Sequence, residues 1–305
     1  MAMHPENPFA RPGQWYKGQL HVHSTVSDGK RTPEEVAGWY RQRGYHFLAL
    51  TDHGVLTEGR TMAGDFITLG GIEVDGVDPQ SGMYHLVGLG LEGPPGVGSR
   101  ETIPAQEAID RLRAAGGLVF MAHPYWSGQM SKDLLGQQGC TGLEVYNGGC
   151  EVDDARGFST VHWDDLLAAG HCLWGLAVDD AHWRDGDHDA GLGWVWVKAA
   201  ALTQAAILEA LERGRFYASS GPEIQEVWLE DGQVHARCSP VVAIDFVGNG
   251  RFSRRIAAPP GETLTRASYK LRTGQRYVRV ACQDSGGHWA WSNPIFVDER
   301  GGAWT

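Results

Sequence analysis

The sequence predicts an α/β protein, a barrel of alternating strands and helices followed by a small antiparallel β-sandwich. Over residues 18–220, apolar runs of strand length alternate with segments of helical spacing, which favours a mainly parallel α/β barrel. After Ser220-Gly221-Pro222 the helical period disappears, and turn pairs such as Asp231-Gly232 and Asn249-Gly250 separate short alternating runs. A chain of 305 residues is long enough for both parts. We therefore expect an N-terminal tail over residues 1–14, the barrel over 15–221 and the sandwich over 222–305.

The first predicted strand carries two histidines that can share a metal ion. Residues 19–23 alternate as in a strand, and side chains two positions apart point to the same side, so His21 and His23 project together. Two imidazoles at a strand end are the simplest chelate that a strand can make. Asp28 follows in a polar turn, where it is a further candidate ligand.

A well-marked helix follows this turn. Thr32 is a good N-cap, Pro33 suits the first helical position, and Glu35 completes a capping box. Gly44 marks the end of the helix. The helix therefore connects the first strand to a second one, which completes a strand–helix–strand unit.

The other predicted strands place metal-binding side chains on the strand or just beyond its end, where α/β folds carry their chemistry. These strands cover residues 48–50, 66–74, 83–89, 118–122, 142–146, 173–178 and 193–198. Helical spacing predicts helices over residues 105–115, 160–169 and 203–213. The side chains that these strands would carry are His53, Glu73, His85, His123, Asp180 and His182.

The composition argues against several classes of protein. A net charge of −11 disfavours a nucleic-acid partner, which usually requires a basic surface. Five widely spaced cysteines, an odd number without a Cys-x-x-Cys pair, indicate a reducing compartment. We see no signal peptide and no apolar run long enough to span a bilayer. We expect a cytoplasmic protein that acts on a small molecule, with no nucleic-acid or membrane partner.

The candidate ligands outnumber the needs of one metal ion. A catalytic ion with an open position takes about three protein ligands. Nine His, Asp and Glu side chains therefore predict two or three divalent ions. Glu73 is a candidate bridge between ions, because a carboxylate has two oxygens to share. The absence of cysteine from the set favours Zn, Mn or Fe over a structural thiolate site.

Taken in order, the motifs resemble those of the PHP (polymerase and histidinol phosphatase) superfamily. They are His-x-His, Ser-Asp-Gly, Thr-Asp-His, Gly-Ile-Glu, a lone His, Ala-His-Pro and Asp-Ala-His, and they cover about residues 15–220. The resemblance implies a distorted (β/α)7 barrel, similar to a TIM barrel, with a di- or trinuclear metal centre at the carboxyl ends of its strands. Asp28 departs from the pattern, because several members carry histidine there.

The resemblance also implies which ligands share an ion. The three sets are His21, His23, Glu73 and Asp180 for the first ion, Glu73, His85 and His123 for the second, and Asp28, His53 and His182 for the third. A narrower resemblance, over residues 14–18, 178–182 and 214–222, is to the CehA/McbA-type metallohydrolases. That group is named for carbaryl hydrolases and often carries a C-terminal β-domain.

The metal set predicts hydrolysis and leaves the substrate open. Clustered cations lower the pKa of a water and bind the oxygens of the electrophile. We expect a phosphoesterase for a small phosphomonoester or phosphodiester, because three ions match the oxygens of a phosphate and this activity is the commonest in the superfamily. A carbamate, ester or amide hydrolase of the CehA/McbA type is the alternative. A binding module with structural metals is the third possibility, which the complete ligand set disfavours.

Four further residues are candidates for the site. Asp52 is expected either to orient a metal ligand or to cap the chain locally. Tyr125, Tyr146 and Asn147 follow predicted strand ends, where each would either line the substrate pocket or pack in the core.

Overall fold

The computed structural model of the chain describes residues 6–297, so the outermost parts of the predicted tail and sandwich lie outside the described residues. A 3-10 helix spans Pro8–Ala10, and the α-helices are α1 (Pro33–Gln42), α2 (Ala105–Ala114), α3 (Ser131–Leu134), α4 (Gly148–Asp154), α5 (Thr160–Ala168) and α6 (Gln204–Glu212). Within residues 6–297, no helix is long and apolar enough to cross a membrane.

Within residues 6–297, nineteen strands accompany these helices. They are β1 (Gln14–Gln19), β2 (Phe47–Ala49), β3 (Arg60–Ala63), β4 (Phe66–Leu69), β5 (Gly71–Asp78), β6 (Gly82–Leu89), β7 (Leu118–Met121), β8 (Gly142–Asn147), β9 (Trp174–Val178), β10 (Trp194–Ala199), β11 (Phe216–Ser219), β12 (Ile224–Glu230), β13 (Gln233–Val241), β14 (Ala243–Gly248), β15 (Arg254–Ala257), β16 (Leu264–Lys270), β17 (Tyr277–Gln283), β18 (Trp289–Ser292) and β19 (Ile295–Phe296).

The capping box predicted at the start of α1 is confirmed. The Thr32 hydroxyl accepts a hydrogen bond from the Glu35 amide at 3.3 Å, and the Glu35 carboxylate accepts one from the Thr32 amide at 2.8 Å. Val36 and Tyr40, four residues apart on one helix face, are buried in an apolar cluster that also contains Leu48 of β2. The helix is therefore fixed against the strand that follows it.

The strands form three sheets, and the predicted α/β class is confirmed. The largest sheet has eleven strands in the order β15-β14-β17-β18-β11-β10-β1-β2-β4-β3, with β19 attached to β17. A second sheet has the order β5-β6-β7-β8-β9, and a third has the order β12-β13-β16. Parallel pairs occur at β1–β2, β2–β4, β7–β8 and β8–β9, so both large sheets are mixed.

Two isolated parallel bridges join the large sheet to the five-stranded sheet. Val22, just beyond β1, pairs with Ala181, just beyond β9. His53, beyond β2, pairs with Glu73 on β5. Strands from the two sheets also share one buried apolar cluster, which includes Phe47, Phe120 and Trp174. The bridges bring the strand ends with predicted ligands to one place.

One strand runs against the predicted parallel order. β6 is antiparallel to both β5 and β7, because a hairpin of three residues joins β5 to β6. Asp78 closes this hairpin by accepting hydrogen bonds from the amides of Gln80 and Ser81. Such a short connection cannot return the chain for a parallel pair, which requires a crossover of a dozen or more residues.

The C-terminal strands are antiparallel as predicted, but the sequence pattern did not predict β18, which is mostly buried, nor the pair β15 and β16. Both strands lie at the edge of their sheets, and most of their residues are exposed or half-buried. A strand exposed on both faces has no apolar alternation, so the pattern that located the other strands is missing here.

The predicted boundary near residue 221 does not interrupt the largest sheet. β11 pairs with β18 through Tyr217 and Ser292, so the same sheet continues into the C-terminal strands. Residues 6–9 of the predicted tail also pack against the fold, whereas residues 10–14 are exposed. Glu6 is 8% exposed and forms ion pairs with Arg213 and Arg215, which lie after α6.

Candidate metal centre

The predicted ligands lie in one cluster. Among residues 6–297, four groups of side chains have donor atoms that all lie within 4.8 Å of one another, and each of the nine predicted ligands belongs to at least one group. The groups are His21, His23, Glu73 and Asp180; His23, Asp28, His53 and His182; His53, Glu73 and His85; and His21, His123 and Glu144. The first group is identical to the first predicted ion site.

Glu73 lies at the centre of this cluster, with its two oxygens facing different histidines. Oε2 lies 3.2 Å from Nε2 of both His21 and His23, and 3.3 Å from Nδ1 of His53. Oε1 lies 2.8 Å from His85 Nδ1 and 3.4 Å from His123 Nε2. The carboxylate is 1% exposed. It can therefore contribute one oxygen to each of two neighbouring ions.

Two buried atoms in the cluster have no hydrogen-bond partner among the described residues. Asp180 Oδ1 lies 3.0 Å from His23 Nε2, and His53 Nδ1 lies 3.0 Å from an oxygen of Asp75, but neither contact has hydrogen-bond geometry. Buried polar atoms are nearly always satisfied by a partner. Bound cations would satisfy the carboxylate oxygen and the imidazole nitrogen, so the donor set fits a metal centre.

Two of the candidate ligands have an uncommon backbone conformation. His123 has φ 28° and Asp180 has φ 57°, both in the left-handed region that non-glycine residues rarely occupy. The Asp180 amide donates a 2.9 Å hydrogen bond to the carbonyl of His21, which ties the two ligand-bearing segments together. Strained residues of this kind gather at functional sites, where the surrounding structure holds them.

The protein supplies the positive charge for the buried carboxylates through its histidines. Burial lowers the pKa of His23, but the carboxylates of Asp180 and Glu73 outweigh this effect and raise it to about 9. Burial raises the pKa of Glu73, but His21 and His85 hold it well below its usual range. Without a cation His23 therefore carries a proton that a metal ion would displace, as expected of a ligand that must deprotonate to bind.

Asp28 lies at the exposed edge of the cluster. Its Oδ2 lies 3.4 Å from His182 Nε2 and accepts a 2.8 Å hydrogen bond from the guanidinium of Arg184. Its side chain is 43% exposed, whereas those of His21 and His23 are fully buried. A third ion would therefore compete with Arg184 for the carboxylate that departs from the family pattern.

Seven of the nine predicted ligands line a cavity of about 210 Å³, and His21 and His23 are buried behind it. Trp126 forms part of its wall, with its ring edge-on to the rings of His85 and His123 at 5.6 and 5.1 Å. Arg184 is the one Lys or Arg side chain among the residues that line this cavity. The candidate metal centre is thus open on one side to a small molecule.

The three predicted substrate contacts occupy other positions. Tyr125 lines a separate groove beside Arg156 and His162. Tyr146 is 8% exposed and its ring packs 5.0 Å from that of Phe158. Asn147 is fully buried, and its amide donates to Asp180 at 3.1 Å. None of the three lines the cavity at the ligand cluster.

Asp52 is fully buried and holds the loop that follows the first histidine pair. Its carboxylate accepts hydrogen bonds from the amide and hydroxyl of Ser24 at 2.8 and 2.7 Å, and from those of Ser27 at 3.1 and 2.7 Å. Because this loop connects His23 to Asp28, the contacts fit the predicted orienting role of Asp52 through the backbone.

Replacing Asp52 by alanine is expected to destabilise the protein by about 3 kcal/mol, because buried amide and hydroxyl donors lose their acceptor. Thermal and denaturant unfolding measure this loss. Asp65→Ala is the matched control, since Asp65 is 69% exposed and pairs with Arg41 at the surface. Equal stability of the two variants would contradict a supporting role for Asp52.

The sequence analysis missed Glu144, which belongs to the fourth group. It lies within β8 and is 1% exposed, and its carboxylate accepts a 2.6 Å hydrogen bond from His21 Nδ1. A charged residue inside an apolar strand run is the signal that could have located it, because buried carboxylates are usually paired.

The chain is similar to known proteins in sequence and in fold, although no protein-family model matches it. It is 39% identical over 112 residues to the phosphoribosyl 1,2-cyclic phosphate 1,2-diphosphodiesterase of Eggerthella lenta, a match that covers 32% of this chain and 42% of that protein. It resembles the crystal structure of "a two-domain protein containing predicted PHP-like metal-dependent phosphoesterase" from Bacteroides vulgatus, with a TM-score of 0.53 and 17% identity.

The two similarities differ in extent. The structural match covers 90% of this chain and 92% of the Bacteroides protein, so the two chains share a fold. The sequence match spans less than half of the diphosphodiesterase. The structural match confirms the predicted resemblance to PHP-like proteins at the level of the fold. The narrower resemblance to the CehA/McbA-type group stays a prediction.

Proposed function

We propose that this chain, which shares the fold of a PHP-like protein, is a metal-dependent hydrolase that cleaves phosphoesters of small molecules. The observation that carries the proposal is the central position of Glu73, whose two oxygens face separate sets of histidines at the cavity. A shared carboxylate between ion sites is the arrangement that multinuclear hydrolases need.

The nine ligands would divide among two or three divalent ions, with Zn, Mn or Fe suited to an oxygen and imidazole donor set. The first ion would be held by His21, His23, Glu73 and Asp180, the second by Glu73, His85 and His123, and the third by Asp28, His53 and His182. The geometry supports the first and third sets most directly, since the donor atoms within each of these sets lie within 4.8 Å of one another.

Bound divalent ions would supply a water of lowered pKa and positive charge against the phosphate oxygens. The chain's own residues prepare the site for this chemistry. His21 and His23 are held in place by burial, and Trp126 packs edge-on against the rings of His85 and His123. His21 and His23 are fully buried, so bulk water does not reach their rings.

The substrate is a small phosphoester rather than a nucleic-acid strand. The cavity of about 210 Å³ suits a small ester. Asp153 and Asp154 line its wall, and a polyanion that extended past them would be repelled. The partial sequence match to a diphosphodiesterase supports a diester as well as a monoester.

A substrate panel tests the proposal. Protein loaded with Mn or Zn is assayed with bis-p-nitrophenyl phosphate, p-nitrophenyl phosphate and 1-naphthyl carbamate, and its metal content is measured by elemental analysis. We expect at least two ions per chain and phosphoester hydrolysis that is lost in His21→Ala. Turnover of the carbamate alone would contradict the proposal. Retained metal without turnover of any of these substrates would favour a binding module.

Arg184 is expected to bind the charge of a phosphomonoester. Replacing it by alanine should raise KM for p-nitrophenyl phosphate about 10-fold, the value of one charge-assisted hydrogen bond. KM for bis-p-nitrophenyl phosphate should change less, because a diester carries one negative charge. Arg156→Ala is the control, since Arg156 lies at the separate groove of Tyr125. Equal effects on both substrates would contradict this assignment.

We also infer a (β/α)7-type barrel over residues 15–221 with one reversed strand, followed by a β-sandwich over 222–305. The two bridges between the large sheets support closure of the barrel. The three-stranded sheet and the C-terminal strands of the large sheet share a buried cluster that includes Val227, Phe246 and Val280, which supports the sandwich. A cytoplasmic location is proposed from the number and spacing of the five cysteines.

A further inference from the structure

Glu144 is buried beside the candidate metal centre and does not line its cavity. Its Oε1 accepts the 2.6 Å hydrogen bond from His21 Nδ1, while His21 Nε2 lies 3.2 Å from both Glu73 and Asp180. Its Oε2 accepts hydrogen bonds from the His123 amide and from the side-chain amide of Asn147, each at 2.9 Å. Both carboxylate oxygens are therefore engaged by protein donors.

Asn147 extends this network to a third ligand. Its Oδ1 accepts a 2.9 Å hydrogen bond from the Cys150 amide, which fixes the orientation of its side-chain amide. The NH2 group of Asn147 must then face the carboxylates of Glu144 and Asp180. It donates a hydrogen bond to each of them, at 3.1 Å in the case of Asp180 Oδ2. Glu144 and Asn147 thus contact His21, His123 and Asp180 without lining the cavity.

An irregularity in β8 makes this network possible. Residues three apart in a regular strand point to opposite sides. The pairing of β8 with β9 shifts its register between Glu144 and Tyr146, and this shift allows the side chains of Glu144 and Asn147 to meet. Bulges of this kind redirect side chains beside active sites.

We propose that Glu144 is a positioning residue that fixes the tautomer of His21, an inference that rests on the proposed metal centre. A carboxylate can only accept, so the proton of His21 must be on Nδ1. Nε2 then presents its lone pair to the position between Glu73 and Asp180. The alternative is that Glu144 is itself a ligand, since the donor atoms of Glu144, His21 and His123 are close enough to hold an ion. Because His21 uses Nδ1 for this contact and both carboxylate oxygens already accept hydrogen bonds, we assign Glu144 the supporting role.

The substitution Glu144→Gln distinguishes a supporting role from a ligand role. In either orientation, the glutamine amide disturbs the hydrogen bonds that Glu144 makes. If the amide nitrogen faces His21 it donates to Nδ1, so the proton moves to Nε2 and the ligating lone pair is lost. If the amide nitrogen takes the position of Oε2, it faces the N–H donors of His123 and Asn147, and these donors lose their acceptor. Outer carboxylate partners of ligating histidines typically contribute a factor of about 10 to 100 in metal affinity.

The test compares Zn affinity, by competition with a chromogenic chelator, in the unmodified protein and in Glu144→Gln, Glu144→Asp and Glu107→Gln. We expect a loss of about 10- to 100-fold for Glu144→Gln, a smaller loss for Glu144→Asp and none for Glu107→Gln, whose side chain is 45% exposed on α2. Histidine ring ¹⁵N shifts of the Zn-loaded protein should show a changed tautomer at His21 in Glu144→Gln.

Three results would overturn the proposal. Affinity within about twofold of the unmodified chain would remove the role of Glu144. Loss of one full equivalent of Zn with an unchanged His21 tautomer would make Glu144 a ligand. A lower thermal stability of the metal-free variant at unchanged affinity would make its role purely structural. Failure of the phosphoesterase proposal is distinguishable, because it would appear as Zn binding without phosphoester turnover in the unmodified protein.

Discussion

Glutamine in place of Glu73 is expected to lower kcat/KM for a phosphoester at least about 1,000-fold, the equivalent of about 4 kcal/mol of transition-state stabilisation from bound cations. The substitution keeps the shape of the side chain and removes its charge. One of its two terminal atoms becomes an NH2 group, which cannot bind a cation. Since Oε1 and Oε2 face different histidines, the loss affects both neighbouring ion sites.

Elemental analysis and phosphoester kinetics on Glu73→Gln measure this outcome. We expect the metal content to fall by more than one ion per chain, which a ligand of a single ion would not cause. Glu107→Gln removes an exposed carboxylate of the same type and should keep full activity and metal content. A Glu73→Gln protein that retains all its ions and more than about a tenth of its activity would contradict the central role of Glu73.

The candidate ligands could be recognised in the sequence because most of them follow apolar strand runs at short spacings. His21 and His23 stand two positions apart, and Asp180 and His182 repeat that spacing, so each pair is visible without a structure. The helix α1 was equally visible, because its N-cap, first-position proline and capping box are all local features. Features that depend on the spacing of a few neighbouring residues could therefore be predicted from the sequence.

The residues that support the cluster could not be found in this way. Glu144 and Asn147 act together only because the register of β8 shifts between them, and a register shift has no sequence signature here. The same applies to the reversed strand β6, whose direction follows from a hairpin rather than from the apolar pattern. Arg184 joins the site through its ion pair with Asp28, 156 positions away along the chain. These features arise from long-range packing.

Removal of the metal ions is expected to lower the stability of the protein substantially. At a free metal concentration about 100 times the dissociation constant, each bound ion stabilises the folded chain by about 2.7 kcal/mol. For a chain of this size that corresponds to about 5 °C in Tm per ion. Calorimetry before and after chelation measures the change, and Zn or Mn added back should restore it, whereas Mg should not. An unchanged Tm after complete chelation would contradict a buried metal centre.

This stabilisation by metal should grow as the pH rises from 6 to 9. In the metal-free protein the carboxylates of Asp180 and Glu73 overcome the effect of burial and raise the pKa of His23 to about 9. Its protonated form stabilises the metal-free fold fully below about pH 6.5, the unfolded value, and this contribution is lost as the pH rises through about 9. Protons also compete with metal for the same nitrogen over that range. Both effects have the same sign, so the difference in Tm between loaded and metal-free protein should be larger at pH 9 than at pH 6.

Titration calorimetry at pH 7.5 in buffers of different ionisation enthalpy should detect proton release on metal binding. A Tm difference independent of pH would contradict the protonated state of His23.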